Sequence, residues 1–328
     1  MADLSTSYLG LSLRNPIIAA SSGLTKSIHQ IQELEKRGAG AVVLKSIFEE
    51  EINYEMKKNM SKMNAPSLIY PEIYDAFDFS AMEDGVSKYL FLIEDAKKSV
   101  NIPIIASVNC VDAEEWTSFA KRIQDAGADA IELNMFILPS DLQRSGDDNE
   151  KVYFDVIERV KKEISIPVSL KISYYFSNLA NMIKKLSETG INGLVLFNRF
   201  YSPDIDINSM EVNPSNIYSS PADITISLRW IAIMANRVQC DLAASTGVHD
   251  GEGVVKQILA GANAVQVAST LYKHGFSAIT DMVEFLDKWM TKKKFNKIED
   301  FRGKLSQSAT NNPAAYERVQ FMQHFAGK

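Results

Sequence analysis

A short signature recurs four times along this chain: Gly38-Ala39-Gly40-Ala41, Gly127-Ala128-Asp129-Ala130, Gly190-Ile191-Asn192-Gly193 and Gly261-Ala262-Asn263-Ala264. Each copy ends a stretch with helical spacing and opens a short apolar run. The glycine fits the left-handed position that closes a helix, and the small residues after it let the chain turn tightly into a strand. Repeated helix–strand units without intervening antiparallel hairpins imply a parallel sheet with right-handed crossovers. Eight such units close a (β/α)8 TIM barrel, here residues 1–290, with 291–328 as a C-terminal appendage packed on it. The alternative is an open doubly wound sheet, but no Gly-x-Gly-x-x-Gly follows the first strand. A length of 328 residues suits one barrel with insertions.

The units can be placed individually. A hairpin at 8–13 precedes the first strand at 15–20, which ends in Ser21-Ser22-Gly23. A helix at 27–37 leads to a strand at 41–44 with Lys45-Ser46 at its tip. Further strands fall at 103–108, 130–133, 167–170, 193–196, 241–245 and 264–268, with helices expected over 88–99, 113–126, 150–164, 179–188 and 224–235. Periodicity is lost at 47–85, 136–149 and 199–223, which read as long loops at the barrel mouth. Beyond Met290 the chain turns basic and then polar, as a helical appendage on the barrel's outside would.

Composition narrows the partners. With 46% apolar and 23% charged residues the chain can bury a large core. A net charge of −6 argues against nucleic acid and anionic membrane as partners. Cys110 and Cys240 are far apart and lack metal-ligand spacing, so neither a disulfide framework nor a zinc site is indicated. No apolar run approaches the roughly 20 residues of a membrane helix. The N-terminus lacks signal-peptide character. The expectation is a soluble, cytoplasmic protein.

The active site of a barrel lies at the C-terminal ends of its strands. Those tips are Ser21-Ser22, Lys45-Ser46, Asn109, Asn134, Lys171, Asn198, Ser245-Thr246-Gly247 and Ala268-Ser269. They make an amide- and hydroxyl-rich mouth with two lysines. There is no carboxylate pair, no Ser–His–Asp grouping and no metal-ligand cluster, so hydrolytic chemistry loses support. The last two tips carry no bulky side chains, leaving backbone N–H groups and hydroxyls free for an anion, with a helix N-terminus behind them. Loops after strands 7 and 8 commonly hold a phosphate in this fold. A flat, phosphate-bearing cofactor such as FMN fits: amides pair with the ring's polar edge, and a lysine near N1–C2 stabilises the reduced anion. Lys171 sits between Leu170 and Ile172 in an apolar strand, where a lysine needs an anionic or acceptor partner.

These residues in this order resemble the dihydroorotate dehydrogenases. The likeness is carried by Asn15-Pro16 through Ser21, Lys45-Ser46, Glu132-Leu133-Asn134, Leu170-Lys171-Ile172-Ser173-Tyr174-Tyr175-Phe176, Asn198, Ser245-Thr246-Gly247 and the run Gly261–Ser269. The resemblance implies FMN on a (β/α)8 barrel and oxidation of dihydroorotate to orotate by hydride transfer to flavin N5. It implies that Ala20 and Ser21 line the flavin and that Lys45 lies beside ring and substrate. Asn109 and Asn134 would hold flavin or substrate amides, Lys171 would face the ring edge, and Asn198 would bind substrate. Gly247, Ala268 and Ser269 would hold the phosphate, with Ser22, Ser46, Ser245 and Thr246 completing the cofactor's surroundings. It also implies a homodimer and leaves room for a separate iron–sulfur partner subunit. The lack of an N-terminal membrane-associated helix pair argues against the quinone-using class.

The chain departs from the family at two places. The family's Ser-Cys-Pro-Asn run after the fourth strand, which supplies the base, is replaced by Met135-Phe136-Ile137-Leu138-Pro139-Ser140. Ile137 stands at the base position, and an alkyl group takes no proton. The Asn-Ser-Met-Gly-Leu-Pro-Asn loop after the second strand is missing. Ser140 and Cys110 are the candidate substitutes for the base, and each has a plain structural reading as well: a turn residue beside Pro139 and a small buried side chain. Two other readings stay open. One is a phosphosugar-type lyase or isomerase with Lys171 as a Schiff-base or electrostatic lysine; the other is a non-catalytic flavin-binding subunit.

Overall fold

A computed structural model of the chain describes residues 2–48, 85–110, 117–199, 202–215 and 217–317. Most of the expected 47–85 insertion lies outside them, as does the start of the helix expected at 113–126. Eight parallel strands close a barrel: β3 (Ile17–Ala19), β4 (Ala41–Val43), β6 (Ile104–Cys110), β7 (Ala130–Met135), β8 (Val168–Ile172), β9 (Gly193–Leu196), β12 (Asp241–Ser245) and β13 (Ala264–Val267). The ring is completed by β13 pairing with β3 and β4 pairing with β6. A short strand β5 (Ile47–Phe48) adds to the upper end of β6. Helices α1 (Ile28–Lys36), α2 (Gly85–Ser99), α3 (Thr117–Asp125), α4 (Gly146–Glu163), α5 (Leu179–Ser187), α6 (Ile224–Met234) and α7 (Gly251–Ala260) alternate with the strands; α8 (Ser269–His274) and α9 (Ser277–Lys293) follow the last one. The TIM barrel is therefore as the recurring signature requires. Gly38, Gly127, Gly190 and Gly261 all take positive φ at the helix ends.

Strand alternation sorts the side chains into an outer and an inner set. Ile17, Val42, Ile131, Leu133, Leu170, Leu194, Val265 and Val267 face the helices in the main core. Ile18, Ala41, Val43, Ile105, Ala130, Val195, Ala243 and Ala264 point inward. The hairpin β1 (Thr6–Tyr8) and β2 (Leu11–Leu13) plugs the lower end of this interior with Tyr8, Leu9 and Leu13. Gly193 packs tightly under this plug, since a Cβ on it would lie 2.5 Å from Leu9 Cδ2. The same alternation continued upward brings in polar inward residues, Ser107, Glu132, Ser245 and Gln266 among them, at the level of the mouth.

Three segments differ from the sequence expectation. Helix α4 starts at Gly146 rather than near 150, because Ser145 and Asp148 form a reciprocal capping box; the expected polar lid at 136–149 is correspondingly shorter. Within the expected loop 199–223 an antiparallel hairpin forms, β10 (Ser202–Asp206) and β11 (Glu211–Ser215). The tail is helical only as two 3₁₀ turns, Ile298–Asp300 and Pro313–Tyr316, among the described residues. It packs on the barrel's outside through Phe295 and Phe301 against Trp289, and through backbone bonds from Leu305 to Leu259 and Gln307 to Ala232. Among the described residues no helix is long and apolar enough to cross a membrane.

Candidate active site

The floor of the mouth is a buried polar cluster. Lys171, from β8, reaches Gln266 of β13, whose Oε1 accepts from Lys171 Nζ at 2.8 Å. Glu132 of β7 lies 3.6 Å from the same ammonium. Gln266 Nε2 donates to the other Glu132 oxygen, closing a triangle across the barrel. All three are inward residues of otherwise apolar strands, and all are buried. Burying Lys171 requires such partners, since an unpaired ammonium in a low-dielectric interior is far costlier than a paired one. Beneath them, burial and the Glu132 charge push the Tyr8 phenol well above its ordinary range, so it stays protonated.

Above this cluster opens a cavity of about 230 Å³. Ten of the sequence-predicted residues line it: Ala20, Ser21, Asn134, Lys171, Asn198, Ser245, Thr246, Gly247, Ala268 and Ser269. The Asn134 Oδ1 atom is buried and has no hydrogen-bond partner among the described residues. The Asn198 Nδ2 atom donates to the carbonyls of Met135 and Lys171, fixing its amide across the ends of β7 and β8. On the wall of the cavity Thr246 and Gly247 take consecutive positive φ angles. The start of α6 packs so closely on Gly247 that an added Cβ would lie 2.0 Å from the Ile224 nitrogen.

The remaining candidates lie elsewhere. Ser46 accepts or donates hydroxyl bonds with Ser21 at 3.0 Å and Ser107 at 2.7 Å, bracing the wall rather than lining the cavity. Ser22 caps the 3₁₀ turn Gly23–Thr25. Lys45 is exposed and lines a neighbouring hollow with Lys26 and Lys88. Asn109 is half-buried near the end of β6, in register with Asn134. Ser140 is exposed on its loop. The side chain of Cys110 lies outside the described residues. Ile137, at the position of the family's base, is half-buried against the main core, beside an apolar hollow walled by Pro139, Tyr153, Tyr174 and Phe176.

Four residues around the mouth receive no site role from the sequence: Glu132, Gln266, Arg199 and Ser219. A polar residue at an inward position of an apolar strand was the available signal for the first two. Ser219 is buried, and its backbone N–H donates to Ser269 Oγ at 3.0 Å. Its hydroxyl meets His249 Nε2 at 3.0 Å, and Lys273 donates to its carbonyl at 2.7 Å. Tyr218 stacks on Tyr272 next to it, so residues 217–220 are strapped over α8. Burial, then the charges of Lys273 and His274, hold the His249 imidazole below its ordinary value of 6.5, outweighing the opposing backbone hydrogen bond at Ser219 and the pull of Asp250.

That shift has a sign. The unfolded chain takes the His249 proton more readily than the folded one, so folding loses stability as pH falls through about 6.5. Thermal unfolding of flavin-free protein between pH 7.5 and 5.5 (a window of about one unit on either side of that value) is expected to show a smaller decline for His249→Gln than for the parent. Equal declines would show that His249 does not contribute.

The comparisons with known proteins follow this geometry. The profile of the family described as Dihydroorotate dehydrogenase matches residues 3–290. The dihydroorotate dehydrogenase B (NAD(+)) catalytic subunit of Thermoplasma volcanium is 30% identical over 314 residues, covering 92% of this chain and 98% of the relative. Its counterpart from Thermoplasma acidophilum is likewise 30% identical, with 92% and 99% covered. The Methanocaldococcus jannaschii protein of the same name is 28% identical over 283 residues, covering 83% of this chain and 89% of the relative. On the profile match over nearly the whole barrel and the relatives at this identity, the chain belongs to the dihydroorotate dehydrogenase family and is an oxidoreductase acting on CH–CH groups.

Proposed function

We propose that the chain is an FMN-dependent dehydrogenase that passes a hydride between flavin N5 and a dihydropyrimidine-like CH–CH group. The observation that carries this reading is a cavity lined by Lys171, Asn134, Asn198 and the Thr246–Gly247 turn, with Asn134 Oδ1 buried beside it and without a hydrogen-bond partner among the described residues. An acceptor left bare at that depth costs roughly 1–3 kcal/mol and is satisfied by an imide N–H of a flat heterocycle. Gly247, Ala268 and Ser269 would hold the phosphate with backbone N–H groups and a hydroxyl. Lys171, oriented by Glu132 and Gln266, would present positive charge to the ring edge. Ala20 and Ser21 would line the ring. When bound, FMN supplies the hydride acceptor, chemistry that no side chain of this cavity provides.

On the substrate side Asn134 and Asn198 offer amide oxygens, and Lys45 is the cation on the second strand's tip. The apolar Ile137 at the base position supports a substrate recognised differently from dihydroorotate. The relatives named as catalytic subunits support a partner subunit for electron transfer, which could carry the iron–sulfur centre. A homodimer and a cytoplasmic location complete the reading.

The test is anaerobic. The purified protein is expected to be yellow, with FMN near one per chain, and to be bleached by at least one of a panel of dihydropyrimidines that includes dihydroorotate. A colourless protein that takes up no FMN would overturn the reading. Bound FMN that no member of the panel bleaches would favour a non-catalytic flavin subunit.

A further inference from the structure

We infer that Arg199 is an oxyanion-binding residue of this site. It follows Asn198 directly, is half-buried, and lines both the central cavity and the adjoining one of about 120 Å³ that runs along Tyr174 and the start of α6. The two cations on the central cavity's wall are Lys171 and Arg199, and their surroundings differ. Lys171 is neutralised by Glu132. Arg199 has no carboxylate within 4.0 Å among the described residues; its one hydrogen bond there runs from Nη1 to the Ile217 carbonyl at 2.6 Å. Asp223 shares the adjoining cavity but spends an oxygen on the Ser220 N–H and hydroxyl, at 2.6 and 3.0 Å.

Among the described residues the charge balance of the cavity is thus one guanidinium without a carboxylate partner, with most of its fork of donors uncommitted there. A guanidinium recognises carboxylate or phosphate through two parallel N–H···O bonds, and charge-assisted bonds of this kind are the strong ones. The bond to Ile217 fixes where the fork stands, tying it to the strap that carries Ser219 and hence to the wall around Ser269. An oxyanion fits two sources here: the phosphate of the cofactor or a carboxylate on the substrate. The inference rests on the flavin reading above and adds the residue that matches its anionic partner.

The test compares binding in pairs that differ only by the anion. FMN and riboflavin are titrated into flavin-free Arg199→Gln and parent protein; orotate and uracil are titrated into the FMN-loaded forms, read from the flavin absorbance. The expected result is a loss of about 10- to 100-fold for one anionic member, with its neutral counterpart unchanged. Loss for FMN alone identifies the cofactor phosphate, and loss for orotate alone identifies a substrate carboxylate. Arg199→Lys, which keeps the charge without the fork, is expected to fall between. Unchanged binding of both anions, or equal loss within each pair, would overturn the assignment and leave Arg199 as a strut for the strap. A parent protein that binds no FMN overturns the flavin reading and this inference together, whereas FMN binding by the parent with no anion-selective loss in the variant overturns this inference alone.

Discussion

Lys171→Met is expected to destabilise the fold by about 3–5 kcal/mol, because it strands the Glu132 carboxylate inside the barrel. Glu132 is almost fully buried, and one of its oxygens has no hydrogen bond among the described residues, so the 3.6 Å ion pair is its main compensation on that side. Gln266 cannot take over: its N–H already serves the other Glu132 oxygen, and its carbonyl would lose its donor. The double variant Lys171→Met/Glu132→Gln is expected to recover more than half of the loss, since no buried charge is left unpaired. Urea unfolding of the parent, the two single variants and the double variant gives the coupling directly. Additive losses would mean that the cluster is not energetically connected.

Gly247→Ala is expected to damage both fold and anion grip. Its φ of +81° lies in the left-handed region, which costs an alanine about 1–2 kcal/mol. The new Cβ would also sit 2.0 Å from the Ile224 nitrogen and 2.5 Å from the Asp223 carbonyl carbon, which are backbone atoms at the entry to α6 and cannot swing aside. Backbone displacement of this kind costs about 1–3 kcal/mol more. Because the same turn forms the end of the cavity, FMN affinity is expected to fall at least tenfold while riboflavin binding changes little. Stability and affinity both within twofold of the parent would show that the turn is neither tight nor part of the site.

How much of this could be read from the sequence follows from what generates each feature. The barrel strands are placed by local rules: a glycine closes each of four helices, and two-residue alternation assigns Ile18 or Val43 to the interior and Ile17 or Val42 to the helices. The same parity carries Asn134, Lys171 and Ser245 to the mouth, so the tips were legible one by one. Glu132 and Gln266 obey that parity too, but their pairing spans strands far apart in sequence, and periodicity says nothing about who meets whom across a barrel. Arg199 and Ser219 lie in a stretch without periodicity, where position is set by packing of the strap on α8. The hairpin β10–β11 leaves little strand signal in the sequence because it is exposed and carries Pro203 opposite Pro214. The start of helix α4 is masked in the sequence by its polar first turn, Gly146-Asp147-Asp148, which the Ser145 cap nonetheless holds helical.

Equilibrium binding of FMN and riboflavin to the flavin-free parent protein bears most directly on the site as a whole. Small residues at two adjacent strand ends should make the phosphate the principal handle, so FMN is predicted to bind one-to-one and about 100-fold more tightly than riboflavin. Equal affinities for the two, or no uptake of either, would contradict it.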